Sequence, residues 1–308
     1  MHVPVLLNAA VDALAVKPGG VYIDGTLGRA GHAREILARA GDGATLLGID
    51  RDRQALEESA DALKGFAGAR VELAHGRHGD IAEIARERGI EKADGILLDL
   101  GVSSPQLDEA ERGFSFRAEG PLDMRMDRSC GVTAAEFVAE CGEGDLAAVL
   151  RDYGEEPNAK RIARAVVRER AERRIETTAQ LAALVERTVG RHGAHHPATR
   201  TFQALRMAVN DEVGELERAL AGGLSLLAPG GRFAVISFES ITDRVVKRFF
   251  AAHAGKMASL QQGGERWEGE LPRVRLVTRR AVTAGPEELE ANPRARSAKL
   301  RAAERTEE

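Results

Sequence analysis

The sequence predicts an α/β fold: a parallel sheet with helices on both faces, interrupted by an all-helical insertion of about 110 residues. Three observations carry this. Short apolar runs alternate with amphipathic helical patterns over roughly the first 100 residues. A glycine-punctuated turn, Gly25-x-x-Gly28-x-x-Gly31, joins one such run to the helix after it. From Gly101 to about Asn210 the strand pattern vanishes, and it returns at Arg232.

Taken in order, His2-Val-Pro-Val-Leu-Leu7 leads into a helix pattern through Val11, Leu14 and Ala15, which Pro18-Gly19-Gly20 breaks. Val21–Ile23 is a strand that ends in Asp24, and the next helix places Ile36, Leu37 and Ala40 on one face. Thr45–Asp50 is a second strand, residues 54–64 a helix, and Val71–Leu73 a short third strand. The polar turn His75–Gly79 precedes a helix over 80–88, and Ala93–Leu100 is a buried fourth strand. Within the insertion, Thr133-x-x-Glu136 is a capping box. Residues 158–174 form a helix with seven basic and two acidic side chains, and Thr178 opens another through Leu181, Leu184 and Val185. Val213, Leu216, Leu220, Leu224 and Leu227 keep helical spacing up to Pro229-Gly-Gly. Arg232–Phe238 is a fifth strand, 241–251 a helix and Arg273–Thr278 a late strand. The boundaries expected are 1–110, 111–209 for the insertion, and 210–308.

A content of 43% hydrophobic and 30% charged residues is that of a globular chain, and no run of 18 apolar residues offers a membrane span. No signal-peptide pattern opens the chain, and Cys130 and Cys141 are too few and too isolated for a disulfide framework. A reduced, cytoplasmic setting is expected. His192, His195 and His196 lack the spacing of a metal site, so a solvated loop is expected there and no metal.

In an open parallel sheet, ligands bind beyond the carboxyl ends of the strands. Asp24, Asp50, Asp99 and Ser237 all fall at that edge. Any one of them could be only a cap or turn residue. The glycine spacing is not that of dinucleotide enzymes, and no Gly-Lys-Ser/Thr phosphate loop is present. An adenosine without a pyrophosphate fits better, and S-adenosylmethionine is the common ligand of that kind. Asp50 would accept from its ribose hydroxyls. Neither cysteine follows a strand, which argues against covalent methylation of a ring carbon. Transfer to an exocyclic amine needs only positioning and a proton acceptor, and Asp99 is placed for that. The basic helix 158–174 and the basic stretch Asn292–Arg301 point to an RNA backbone as partner.

The chain resembles, over nearly its whole length, the bacterial 16S ribosomal RNA cytosine N4-methyltransferases. The motifs that carry the resemblance are His2-Val-Pro-Val-Leu-Leu7, Asp24-Gly-Thr-Leu-Gly-Arg-Ala-Gly-His32, Gly48-Ile-Asp-Arg-Asp52 and Asp99-Leu-Gly-Val-Ser-Ser-Pro-Gln-Leu-Asp108. Arg112–Phe116, Pro121–Met126, Thr201–Arg206, Val209–Glu212 and Asn292–Arg301 add to them. The resemblance implies a class I methyltransferase (Rossmann-like) fold with a helical substrate-recognition insert and S-adenosylmethionine as donor. It implies donor contacts at Gly28, Ala30, Gly31, His32, Asp50, His78, Asp99 and Gln106. Candidates on the cytosine side are His2, Ser103, Ser104, Arg125, Asn210, Glu239 and Arg244. The implied partner is 16S rRNA in the small subunit, not DNA or a membrane; oligomeric state stays open, a homodimer included.

Five positions depart from the family pattern. Ala30 stands where a glycine is usual, a change the turn tolerates if φ is negative. His78 replaces a phenylalanine expected to face the adenine, where an imidazole can still stack. Glu239 and Thr242 replace a histidine and a glutamate, and Ala139 replaces an asparagine. The expected reaction is methyl transfer to the N4 amine of an unstacked cytosine. A small-metabolite methyltransferase, or a donor-binding assembly protein with lost catalysis, are the alternatives.

Overall fold

The computed structural model describes residues 4–191, 196–259, 265–268 and 272–306, with the backbone alone at 256–259 and 265–268. The chain divides into two compact units, Met1–Gly101 with Val213–Glu308, and Val102–Glu212. The second unit therefore takes in residues 102–110, which the sequence reading assigns to the first part.

The first unit opens with α1 (Leu7–Leu14), β1 (Val21–Asp24), α2 (Gly31–Ala40), β2 (Thr45–Asp50), α3 (Arg53–Leu63), β3 (Arg70–His75), α4 (Ile81–Glu87) and β4 (Ala93–Asp99). The second unit is α5 (Ser104–Asp108), α6 (Ala134–Glu140), α7 (Glu143–Gly154), α8 (Ala159–Glu172), α9 (Thr178–Val189) and α10 (Thr199–Val209). The chain returns through α11 (Glu212–Leu226), β5 (Leu227–Ser237), α12 (Ser240–Ala254), the hairpin β6 (Lys256–Ser259) and β7 (Glu265–Glu268), β8 (Val274–Leu276), α13 (Pro286–Ala291) and β9 (Lys299–Arg305).

The seven-stranded sheet runs β3-β2-β1-β4-β5-β9-β8. Its first five strands are mutually parallel, and β9 lies antiparallel between β5 and β8. This is the class I methyltransferase arrangement. Successive residues of each central strand serve opposite faces. Ile23, Leu47, Ile96, Leu98 and Phe233 face one apolar core with Leu216, Leu220 and Leu224 of α11. Tyr22, Leu46, Leu97 and Ala234 face the other with Val11, Leu14, Ile36 and Leu37. Burial on both faces is why these strands are near-continuous apolar runs in the sequence. The second unit has its own core, built around Leu150, Ile162, Val166, Leu181, Val185, Phe202 and Leu205. Its capping box at Thr133 and Glu136 forms as expected.

Two expectations are corrected. Strand β5 begins at Leu227, ahead of the expected Arg232, because the register slips between Ala93 and Gly95 and lets Pro229-Gly-Gly pass within the strand. The basic stretch ending at Arg301 is not a free phosphate grip throughout. Its last part is β9, with Leu300, Ala302 and Ala303 buried. Arg301 Nε donates to Asp243 Oδ1 at 2.6 Å, and Lys299 Nζ lies 3.4 Å from Asp243 Oδ2. Both cations are tied to Asp243, Arg301 mostly covered and Lys299 still partly exposed.

Candidate active site

The turn between β1 and α2 is shaped by what its glycines leave out. A Cβ on Gly25 would sit 2.5 Å from Leu98 Cδ2, and one on Gly31 would sit 2.1 Å from Pro4 Cγ. The Gly28 N–H donates to Asp50 Oδ2 at 2.8 Å, while the Asp52 N–H donates to Asp50 Oδ1 at 2.8 Å. Both carboxylate oxygens of Asp50 are thus aimed by backbone, each with a lone pair to spare. Helix α2 starts at Gly31 with no side-chain cap. Its first-turn N–H groups suit an anionic group.

Ala30 is not the tolerated case foreseen: its φ is +57°. The left-handed region costs an L residue with a Cβ about 1 kcal/mol that glycine avoids. Ala30→Gly is therefore expected to stabilise the protein by about 1 kcal/mol, read as a raised denaturant midpoint with unchanged m. A lower midpoint would mean the Ala30 methyl packs too well to lose.

At the end of β4, Thr26 Oγ1 accepts the Asp99 N–H at 2.6 Å, and Asp24 Oδ1 accepts the Thr26 N–H at 3.1 Å. This one threonine ties the β1 turn to Asp99. Burial raises the Asp99 carboxyl to about 8, with the neighbouring Asp24 adding to it. Asp24 is itself raised to about 7 by burial, partly offset by the Thr26 N–H. Asp99 Oδ1 is buried and has no hydrogen-bond partner. His32 is buried, which lowers it to about 4, so the ring is neutral. Its Nε2 lies 3.1 Å from the Val5 carbonyl and must carry the proton. The other nitrogen, Nδ1, then presents a bare lone pair 3.7 Å from Asp99 Oδ2. That contact is no ion pair, and it too disfavours a charged Asp99.

These values fix a pH dependence. The unfolded carboxyls ionise near 3.8, but Asp24 and Asp99 stay protonated in the fold until about 7 and about 8. The folded state holds the extra protons, so their stabilisation is lost as pH rises through the folded values. His32 and His78 act in the opposite direction, but only below their unfolded value of 6.5. The melting temperature of the ligand-free protein should fall between about pH 6.5 and 8, and Asp99→Asn should flatten that slope. A melting temperature that rises across this window would contradict the assignment.

The turn after β3 carries His78, lowered to about 3 by burial and then by the charges of Arg51 and Arg218. Its Nε2 is buried without a hydrogen-bond partner. Glu215 of α11, fully buried, holds this turn. Its Oε2 accepts the Gly79 N–H at 2.9 Å, and its Oε1 accepts from Arg218 at 2.9 Å and from Arg77 at 3.4 Å.

In the second unit, Ser103 and Gln106 form a reciprocal capping box at the start of α5, where Ser104 is the first helical residue. Arg125 grips Asp123 with Nε at 2.7 Å and Nη2 at 3.0 Å. The buried Asn210 side chain donates to the carbonyls of Met124 at 2.7 Å and Arg206 at 2.8 Å, and accepts the Met126 N–H at 2.8 Å. It brackets the 124–126 loop. In the first unit, Glu239 is the N-cap residue of α12 and Arg244, exposed, is its fifth residue. Thr242 is buried and donates to the Glu239 carbonyl at 3.0 Å. His2, His192 and His195 lie outside the described residues. His196 stacks against Phe116 with centroids 4.6 Å apart. Among the described residues no helix is long and apolar enough to cross a membrane.

Sequence reasoning missed Thr26 and Glu215. Thr26 lies inside the glycine motif, but its link to Asp99 spans 73 positions. Glu215 looks like one more charge on an amphipathic helix, and nothing local marks it as buried.

Comparison with known proteins adds to this geometry. A model of the MraW methylase family matches residues 1–306. The ribosomal RNA small subunit methyltransferase H of Trichlorobacter lovleyi is 49% identical over 307 residues, covering 99% of this chain and 98% of that one. The enzyme of the same name from Symbiobacterium thermophilum is 49% identical, covering 98% and 95%. That of Methylobacillus flagellatus is 50% identical, covering 99% and 94%.

Proposed function

Because the chain belongs to the MraW methylase family, we propose that it methylates the N4 amine of a cytosine in the decoding region of 16S rRNA. Its methyl donor is S-adenosylmethionine, which supplies an electrophilic methyl carbon that an amine lone pair takes directly. The observation that carries the reading is Asp99, whose Oδ1 ends β4 buried and without a partner. As nitrogen gains positive charge, a carboxylate held there accepts an N–H and then the proton. Thr26 fixes the Asp99 backbone, and the neutral His32 leaves it no counter-ion.

The donor side fits the same strand edge. Asp50, aimed by two backbone N–H groups, accepts from ribose hydroxyls. The uncapped start of α2, with Gly28, Ala30, Gly31 and His32, takes the methionine end. His78 faces the adenine, and Gln106 is a further donor contact. Ser103, Ser104, Arg125, Asn210, Glu239, Arg244 and His2 stay candidates for the cytosine side, with the helical unit as the part that recognises rRNA. A cytoplasmic setting follows from that substrate.

The test is transfer of labelled methyl groups to small subunits that lack the modification, with the product nucleoside identified. N4-methylcytidine is the expected product. Donor binding without transfer to subunits or to free rRNA would overturn the reading.

A further inference from the structure

The helical unit carries a groove of about 350 Å³ between α8 and α9. Arg161, Arg164 and Arg168 line it from α8, and Arg187 faces them from α9. The spacing of 161, 164 and 168 keeps all three on one face over about 10 Å of helix. All four arginines are exposed. One acid, Glu169, lines the same groove, 3.3 Å from Arg187. The lining thus has a surplus of three positive charges. Arg164 has a distant partner in Glu143 at 3.7 Å. For the side chains of Arg161 and Arg168 there is neither an ion pair nor a hydrogen bond among the described residues. The opposite face of α8 is spoken for: Ile162, Ala163 and Val166 are buried, and Arg170 donates to the carbonyls of Val138 at 2.6 Å and Cys141 at 2.7 Å.

We infer that this groove is a binding site for the sugar-phosphate backbone of a single RNA strand. The inference rests on the rRNA reading above and adds to it which residues hold the RNA. Guanidinium forks match phosphate oxygens, and several along a line match the repeat of a strand. The lining has no aromatic side chain on which a base could stack; Ala165, Leu184 and Thr188 complete it. The groove therefore positions the strand and does not read its sequence.

The test measures affinity of the full chain for unmodified small subunits across a salt series. Arg161→Gln with Arg168→Gln keeps helix propensity and removes two contacts. Each contact contributes about 0.7 to the salt slope, so the double variant should lose about 1.4 of slope and bind roughly 25-fold more weakly near 0.1 M salt. Donor affinity should be unchanged. Glu169→Gln should bind severalfold more tightly, which a folding defect cannot imitate. Arg53→Gln with Arg279→Gln removes the same charge at exposed sites outside the groove and should change the slope little. An equal loss in that control, an unchanged slope in the groove variant, or displacement of the RNA by poly-glutamate at matched charge would each overturn the inference. A wild type that transfers no methyl group and shows no salt-dependent affinity for subunits sinks the rRNA reading itself; normal transfer with an unaltered groove variant sinks the groove alone.

Discussion

Asp99→Asn is expected to lower kcat for methyl transfer by about 10²–10⁴-fold, the range that a positioned proton acceptor supplies. The substitution keeps shape and one acceptor oxygen but removes the site that takes a proton. Donor affinity should change little by comparison, so the loss should appear in kcat and not in donor KM. The pH profile gives an independent check. Transfer needs Asp99 ionised, and the carboxyl sits at about 8 in the ligand-free protein. Below that value the ionised fraction, and with it kcat/KM, rises about tenfold per pH unit; above it the profile levels. The asparagine variant should be flat over the same range. A flat wild-type profile between pH 6 and 8 would remove Asp99 from the role of acceptor. A full loss of donor binding in the variant would make it a donor ligand instead.

Much of this site is local in sequence, and that is why it was legible. Asp24, Asp50 and Asp99 each end an apolar strand, and the strand-end rule needs only the run and the acid after it. The glycine turn is likewise local, and Gly25 and Gly31 prove to be sites where a Cβ collides. Other parts depend on backbone angle or on distant pairing. The φ of Ala30 is set by how the turn meets α2 and Asp50, and no residue type announces it. Strand β9 carries Lys299, Arg301 and Arg305 and so resembles a solvated basic tail. Only its pairing with β5 and β8 gives those charges structural partners: Asp243 for Lys299 and Arg301, and the Leu224 carbonyl for Arg305. Asn210 is a polar residue in a matching motif, but its polar groups serve the loop at 124–126.

Glu215→Ala is the substitution expected to cost the most stability, about 3–5 kcal/mol, because it removes a fully buried carboxylate from the nearly buried Arg51 and from the Gly79 N–H. Arg51 Nη2 lies 3.8 Å from Glu215 Oε1, and the Arg51 side chain is only 10% exposed. Arg77 and Arg218, each about half exposed, reach the same oxygen and contribute less. Without the carboxylate these cations repel, and the Gly79 N–H loses its acceptor. The melting temperature should fall by about 10 °C for that loss. The effect should also reach the donor. Gly79 follows His78, and a Cβ on Gly79 would lie 2.3 Å from Glu215 Oε2, so the turn and the carboxylate are fitted to each other. Glu215 is a positioning residue: it touches the turn, and on the proposed reading His78 meets the adenine. Glu215→Gln can still accept the Gly79 N–H and should keep more donor affinity than alanine, although both lose the charge. Donor titration below the melting range of each variant separates the two effects. If alanine and glutamine weaken donor binding equally, the charge holds the turn and the bond to Gly79 does not. If neither weakens it, Glu215 serves stability alone.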